Sequence, residues 1–225
     1  MNEKIAIIGS GLMGHGIAQI FMCAGHRVRI IDPNEAALVT VPERIRANLE
    51  LMGSHGTTFA DDFDTILGRV SLSTEIESCA DCDVVIEAVY EDMGLKQRIF
   101  AQLDEICSAE TILCSNTSVM SITEIASTSQ NRERIIGTHF WNPPYLMPLV
   151  EVIRTEEAND SMVDAIYELL AKVGKRPVKV NKDVPGFVAN RLQHALWREA
   201  FAIIDEGIAD AATVDECVRY GPGLR

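Results

Sequence analysis

The chain has 225 residues, of which 47% are hydrophobic, so it can bury a substantial core in one or two domains. Its formal net charge of -13 argues against nucleic acid and anionic membrane surfaces as partners. The sequence has no apolar run of membrane-spanning length, and a strand predicted from Lys4 leaves no room for a signal peptide, so we expect a cytoplasmic protein.

The first elements of the chain have the pattern of a dinucleotide-binding unit. Lys4–Ile8 is an apolar run of buried-strand length, and the sequence Gly-Ser-Gly-Leu-Met-Gly follows it over residues 9–14. A helix over residues 14–24 and a second strand over residues 27–31 complete the context in which this glycine motif is specific. We therefore predict that a dinucleotide binds at this loop.

Each glycine of the motif has its own predicted task. Gly9 permits the tight turn, Gly11 lets the backbone approach the pyrophosphate, and Gly14 lets the helix pack closely on the strand. The N–H groups at the start of the helix, including those of Leu12 and Met13, are expected to face the phosphates, because they have no partner within the helix.

Asp32, at the end of the second predicted strand, indicates which dinucleotide binds. A carboxylate in this position accepts hydrogen bonds from both ribose hydroxyls and repels a 2′-phosphate. The next residues, Pro33 and Asn34, provide no cation that could hold such a phosphate. The sequence therefore favours NAD over NADP as the cofactor.

The rest of the chain predicts an α/β fold of Rossmann type. Further strands are expected at about residues 70–72, 83–89, 111–114, 135–136, 149–154 and 177–180, and helices at about 34–53, 94–107, 121–128 and 159–173. This alternation predicts an open, mostly parallel sheet with helices on both faces.

A predicted domain boundary lies at Asp183-Val-Pro-Gly186, where the alternation stops. We expect a dinucleotide-binding domain over residues 1–183 and the start of a helical domain over residues 184–225, with helices at about 187–206 and 211–220. About 40 residues make a poor independent domain, so this second domain looks truncated.

The six cysteines show neither a secretory nor a zinc-ribbon arrangement. Cys79 and Cys82 form a C-x-x-C pair, but no second pair or nearby histidine completes a metal site. We expect these cysteines to be reduced, small apolar residues, and we predict no metal.

Polar residues follow several predicted strands, at the edge of the sheet where ligands bind. They are Glu91, Ser115–Ser118 and His139–Asn142. His139 could act as a general base whose tautomer is fixed by a carboxylate, or it could be a histidine hydrogen-bonded in a strand-end turn. Ser115–Ser118 could equally serve as the N-cap of the following helix.

Five motifs occur together in the chain, in a distinctive order. They are Gly9-x-Gly-x-x-Gly14, Ser115-Asn-Thr-Ser118, His139-Phe-Trp-Asn-Pro143, Leu149-Val-Glu151 and Asp183-Val-Pro-Gly-Phe-Val-Ala-Asn-Arg191. With these motifs the chain resembles the 3-hydroxyacyl-CoA dehydrogenase family over nearly all of its length. The resemblance implies oxidation of a 3-hydroxyacyl-CoA to the 3-ketoacyl-CoA with NAD, in a homodimer built by the helical domain.

The resemblance also implies the catalytic residues. His139 corresponds to the general base of the family, and Glu151 to the glutamate that orients and supports it. Ser118 corresponds to the serine that holds the substrate hydroxyl and approaches the nicotinamide, and Asn190 to a residue on the carbonyl side of the substrate.

Further positions match residues of the family that contact the cofactor. Asn142 is expected near the nicotinamide and the substrate, while Glu91 and Lys96 match positions that contact NAD. Lys96 could otherwise be an ordinary solvated lysine on a helix.

Two departures from the commoner family pattern bear on the substrate. The helix after the second strand has only Arg44 and Arg46 as basic residues, fewer than suit the phosphates of CoA. The segment Pro143–Pro148 is closer to the branch that resembles gulonate 3-dehydrogenase, lambda-crystallin and carnitine dehydrogenase. We expect a 3-hydroxyacyl-CoA as substrate, with a small free 3-hydroxy acid as the alternative. A third interpretation is a non-catalytic, crystallin-like NAD-binding protein.

Overall fold

A computed structural model of the chain describes residues 3–224, which contain one eight-stranded sheet and nine α-helices. The strands are β1 (Ile5–Ile8), β2 (Val28–Ile31), β3 (Val70–Ser73), β4 (Val84–Glu87), β5 (Ile112–Ser115), β6 (Ile135–Phe140), β7 (Leu149–Ile153) and β8 (Arg176–Val180). The helices are α1 (Leu12–Cys23), α2 (Glu35–Leu38), α3 (Val41–Ser54), α4 (Phe63–Leu67), α5 (Met93–Ile106), α6 (Ile122–Ile125), α7 (Asp160–Lys172), α8 (Ala189–Asp205) and α9 (Ala211–Tyr220). Short 3-10 helices lie at Ile76–Cys79, Ala126–Thr128 and Arg132–Arg134.

The sheet confirms the predicted Rossmann-type, mostly parallel fold. Its strand order is β3-β2-β1-β4-β5-β6-β7-β8, and every neighbouring pair is parallel except β6 and β7. From β1 the chain builds outward to β3 and then returns to place β4 on the other side of β1. This reversal opens a crevice at the carboxyl ends of β1 and β4, which is the usual ligand site of such sheets.

The central strands explain why the sequence shows continuous apolar runs instead of alternation. Every residue of β1, β4 and β5 is buried. A strand can bury all of its side chains only when both faces of the sheet are covered, as in parallel sheets with crossover helices.

The region between β2 and β3 differs from the prediction. The single helix expected at residues 34–53 is two helices, α2 and α3, because Pro42 lies in the first turn of α3, where a proline is tolerated, and would break a continuous helix. Helix α4 was not predicted. The side chain of Asp62 caps it by accepting a hydrogen bond from Thr65 N, and Ile66 anchors it in the core.

Strand β6 is longer than the predicted residues 135–136, and this corrects the expected position of His139. Strand β7 pairs with it antiparallel, with His139 opposite Glu151 and Phe140 opposite Val150. His139 therefore lies within a strand, next to its last residue, and not in a turn after the strand.

Chain contacts divide the protein into two compact units, with the division between Pro185 and Gly186. The second unit contains α8 and α9, and neither helix has a buried residue. Helix α8 exposes large apolar side chains, among them Leu192, Trp197 and Phe201.

None of the helices in the described residues combines the length and the apolarity that crossing a membrane requires. Within residues 3–224, no group of three or more His, Cys, Asp or Glu side chains is placed to hold a metal ion. All six cysteines lie in this range and are free thiols.

Candidate active site

The glycine motif forms a tight loop between β1 and α1. Gly9 has a φ of 103°, and a Cβ there would lie 2.7 Å from the carbonyl oxygen of Ala88. A Cβ at Gly14 would lie 1.9 Å from the carbonyl oxygen of Gly9, so the helix can approach the loop only without a side chain. A Cβ at Gly11 would meet no atom within 4 Å. A close-packed loop that is open at Gly11, above the N-terminus of α1, fits the pyrophosphate of NAD.

Asp32 is held at the end of β2 by this loop. Its Oδ2 accepts hydrogen bonds from Ser10 N at 2.8 Å and Ser10 Oγ at 2.7 Å, and its Oδ1 accepts one from Asn34 N at 2.9 Å. Burial opposes ionisation, but these hydrogen bonds and the nearby Arg44 outweigh it and lower the pKa of Asp32. The ionised carboxylate has further lone pairs for the ribose hydroxyls of a dinucleotide.

Arg44 contacts the loop of the glycine motif, here also called the cofactor loop, and the sequence did not reveal this contact. One of its terminal nitrogens donates to the carbonyl oxygens of Ser10 at 2.8 Å and Ala37 at 3.2 Å. Arg46, the other basic residue of α3, pairs with Asp64. No local pattern signals the contact of Arg44, since it depends on how α3 packs beside the loop.

His139 and Glu151 form a buried pair between β6 and β7. Glu151 Oε2 lies 2.8 Å from His139 Nδ1, and the side chains are 0% and 4% exposed. A carboxylate at Nδ1 accepts the N–H of the neutral ring, which places the basic lone pair on Nε2. The ring of Trp141 lies 5.5 Å from that of His139, between centroids. The pair has the chemistry of a general base with an orienting carboxylate.

The loop after β5 is joined to the end of β6. Asn116 Oδ1 accepts a hydrogen bond from Phe140 N at 2.9 Å, so the Ser115–Ser118 motif lies beside the strand of His139. The alternative that this motif caps the next helix is wrong, because Ser121 is the N-cap of α6. Asp183 Oδ2 supports that cap, accepting from Ser121 Oγ at 2.6 Å.

Glu91 connects the loop after β4 to the loop after β5. Its carboxylate accepts hydrogen bonds from Ser118 N at 2.8 Å and from Thr117 Oγ1 at 2.9 Å. The structure thus brings together two of the residues that the sequence singled out, Glu91 and Ser118.

Lys96 is not a solvated helix lysine, because only 1% of its side chain is exposed. Its Nζ lies 2.7 Å from Glu87 Oε1 and 3.5 Å from Glu91 Oε2. Glu87, which the sequence analysis missed, also accepts from Ser115 Oγ at 2.7 Å and Val89 N at 2.7 Å. Its position as the last residue of β4 was the available signal, since a charged residue at the end of an apolar strand needs a partner when buried.

Asn142 and Asn190 are the other two residues that the sequence predicted for the site. Asn142 is exposed, two residues beyond the end of β6. Asn190 lies in the first turn of α8, in the second compact unit. In the first unit the arrangement can remove a proton beside a crevice that fits a dinucleotide.

Comparisons with known proteins agree over almost the whole chain. The family model for the 3-hydroxyacyl-CoA dehydrogenase NAD binding domain matches residues 4–184, and the model for the C-terminal domain of the same family matches residues 186–225. A 3-hydroxybutyryl-CoA dehydrogenase of Clostridioides difficile is 39% identical over 218 residues, which are 97% of this chain and 77% of the relative.

Solved structures similar to this chain over almost its whole length include two dehydrogenases. A crystal structure of (S)-3-hydroxybutyryl-CoA dehydrogenase from Ralstonia eutropha has a TM-score of 0.91 and 35% identity, covering 99% of this chain and 78% of the other. A 5-formyl-3-hydroxy-2-methylpyridine 4-carboxylic acid 5-dehydrogenase, an NAD+ dependent dismutase, has a TM-score of 0.88 and 33% identity, covering 100% of this chain and 72% of the other.

Proposed function

The chain belongs to the 3-hydroxyacyl-CoA dehydrogenase family, and we propose that it oxidises the 3-hydroxyl group of a 3-hydroxyacyl-CoA to the 3-ketoacyl-CoA. NAD is its cofactor and, when bound, supplies the hydride acceptor. The observation that carries the proposal is the buried pair of His139 and Glu151, which supplies the proton acceptor that alcohol oxidation requires.

We assign the general base to Nε2 of His139. It takes the proton of the 3-hydroxyl group as the hydride leaves C3, and the ring becomes an imidazolium. Glu151 accepts the N–H of Nδ1 and stabilises the positive charge that forms. General base catalysis of this kind contributes roughly 10²–10⁴-fold to the rate.

Ser118, Asn142 and Asn190 are the proposed substrate contacts. Ser118 would hold the reacting hydroxyl, and its backbone is fixed by the hydrogen bond from Ser118 N to Glu91. Asn142, near the nicotinamide and the substrate, and Asn190, on the carbonyl side of the substrate, are assigned on the family resemblance.

The cofactor contacts follow from the glycine loop and the network behind it. Gly9, Gly11 and Gly14, with the N–H groups of Leu12 and Met13, would bind the pyrophosphate, and Asp32 would bind a ribose. Glu91 and Lys96 are the remaining proposed NAD contacts. The buried pair of Lys96 and Glu87 supports the two loops that carry Glu91 and Ser118.

The acyl-CoA substrate is supported by the relatives named for 3-hydroxybutyryl-CoA. Two observations support a small free hydroxy acid as the alternative. The similar NAD+ dependent dismutase is named for a pyridine carboxylic acid. In addition, Arg44 is hydrogen-bonded to the glycine loop and Arg46 pairs with Asp64, so both basic residues of α3 already have partners other than CoA phosphates.

We further propose that residues 1–183 are the NAD-binding domain and that residues 184–225 belong to a domain for substrate binding and homodimerisation. The exposed apolar side chains of α8, such as Leu192 and Phe201, support association of this domain. The six free thiols support a reducing compartment such as the cytoplasm. Sedimentation as a stable monomer would contradict the homodimer.

The proposed function is tested by following NADH formation with 3-hydroxybutyryl-CoA, L-gulonate and L-carnitine in parallel. We expect turnover with the CoA thioester and little with the free acids. Turnover with a free acid alone would support the alternative substrate class. NAD binding without turnover of any of the three would support a non-catalytic role and overturn the proposal.

A further inference from the structure

Lys175 is a buried lysine that the proposed reaction does not use. It precedes β8 directly, and its residue is 8% exposed. Its Nζ donates hydrogen bonds to the carbonyl oxygens of Pro144 at 2.5 Å and Met147 at 3.0 Å. Burial lowers its pKa to about 8, and within residues 3–224 no carboxylate lies within ion-pairing distance of its Nζ. A buried ammonium without a carboxylate is costly unless hydrogen bonds compensate for the lost water. The hydrogen bonds of Lys175 to the two carbonyl groups are therefore the contacts from which we infer its role.

The two carbonyl groups belong to the segment of residues 141–148, here called the connecting segment. It joins β6, which carries His139, to β7, which carries Glu151. Because β8 runs parallel to β7, it starts at the edge of the sheet where β6 ends. The ammonium of Lys175 therefore lies at the same edge of the sheet as the proposed base.

Other contacts also hold the connecting segment. Arg176 N donates to the carbonyl oxygen of Pro148 at 2.8 Å, beside the bonds from Lys175. Pro144 also packs against α1, where a Cβ at Gly16 would lie 2.6 Å from Pro144 Cγ. The segment therefore contacts both the helix that follows the glycine motif and the start of β8.

The connecting segment presents apolar side chains to solvent. Leu146 is 56% exposed and Met147 is 37% exposed, although both belong to a segment whose backbone is fixed by several hydrogen bonds. Ligand sites are mostly apolar and largely preformed, so two apolar side chains on a backbone held at the ligand edge of the sheet can line the apolar part of such a site.

We propose that Lys175 is a positioning residue for the acyl chain, holding the connecting segment so that Leu146 and Met147 form an apolar wall beside the reacting hydroxyl. The inference rests on the proposed function and deepens it, because it assigns the acyl end of the substrate to this wall. An ammonium that donates to two carbonyl groups makes charge-assisted hydrogen bonds, which are stronger than neutral ones. A methionine of similar length would fill the space and leave both carbonyl oxygens without this donor.

The first experiment measures the connecting segment itself and does not depend on activity. Hydrogen exchange of the full chain is compared for wild type, Lys175→Met and Lys172→Met. Lys172 is an exposed lysine at the end of α7, so its variant is a matched control. We expect peptides covering residues 141–149 to exchange about tenfold faster in Lys175→Met alone. Unchanged exchange in this variant would overturn the proposal.

The second experiment measures chain-length selectivity. Kinetic constants for 3-hydroxybutyryl-CoA and 3-hydroxyhexanoyl-CoA are compared in the same variants and in Lys175→Arg, which keeps a donor. We expect Lys175→Met to raise KM for the longer substrate and to lower its kcat/KM by about tenfold relative to the shorter one, since a few methylene contacts are lost. Lys175→Arg should restore part of this preference, and KM for NAD should not change.

The outcomes separate this inference from the proposed function. Wild type that oxidises neither thioester contradicts the proposed function, while the exchange experiment still decides whether Lys175 holds the segment. Wild type that oxidises both, with an equal loss for both in Lys175→Met, indicates a purely structural lysine and overturns the positioning role.

Discussion

Replacing Glu151 by glutamine is the sharpest test of the proposed chemistry. The substitution keeps the shape of a fully buried side chain and replaces the negatively charged carboxylate by a neutral amide, whose oxygen can still accept a hydrogen bond. In the ground state a general base must be unprotonated, so the variant loses at most one hydrogen bond of ordinary strength at His139. In the transition state the ring carries part of a proton, and the missing carboxylate no longer stabilises it.

The distance in the structure sets the magnitude. At 2.8 Å and an effective dielectric constant of about 20, a full imidazolium and a carboxylate attract each other by about 6 kcal/mol. With the proton roughly half transferred, the variant would lose about 3 kcal/mol of transition-state stabilisation, or about 10²-fold in kcat. KM should change little, because the lost interaction is made only in the transition state.

The assay is steady-state NADH formation, with NAD affinity measured separately by fluorescence titration. Glu156→Gln is the matched control, since Glu156 is exposed and lies five residues further along the chain. A Glu151→Gln enzyme that keeps kcat within about threefold of wild type would refute the general-base reasoning. A fall in NAD affinity of the same size as the fall in kcat would also refute it, because the effect would then lie in cofactor binding.

The other predictions concern the base, the glycine loop and the buried lysine. His139→Gln should abolish turnover while leaving NAD affinity nearly unchanged, and a variant with most of its kcat would remove His139 from the mechanism. Gly14→Ala should weaken NAD binding strongly, because its Cβ would lie 1.9 Å from Gly9 O. Gly53→Ala should not, because its Cβ would lie 3.7 Å from the nearest atom, and equal Kd values for NAD in the two variants would contradict this prediction. Burial lowers the pKa of Lys175 from 10.5 to about 8, so between these pH values unfolding takes up a proton and rising pH favours the folded chain. Wild type should therefore gain Tm relative to Lys175→Met from pH 8 to 10.5, and a constant difference would contradict the burial of the ammonium.

The sequence was most informative where an element depends on its own residues. Strands β1 and β2 lie within one residue of their predicted bounds, because a buried parallel strand is a continuous apolar run with turn residues at its ends. Helix α4 was missed because it is only five residues long and lies in a polar stretch. Its stability comes from the Asp62 cap and the burial of Ile66, and the second of these needs the tertiary fold.

The candidate site shows the same division. The glycine motif and His139 stand out in the sequence because their residue types and spacing carry the chemistry. Glu87 and Lys175 do not stand out, because each acts through a partner 9 to 31 residues away along the chain. A buried charge acquires its role from what the fold places beside it, so composition and spacing could not assign a role to either residue. A charged residue at the end of an apolar strand signals only that Glu87 needs a partner.

One irregularity of the sheet accounts for both the proposed base and the segment that Lys175 holds. Residues 141–148 are too few for the crossover that a parallel strand would need, so β7 must return antiparallel beside β6. This return places Glu151 directly opposite His139, and a shift of one residue in register would turn the carboxylate to the other face of the sheet. The same return leaves the connecting segment at the ligand edge, where β8 begins and Lys175 can reach it. Substrate positioning and proton transfer are therefore expected to respond together to changes in the register of β7.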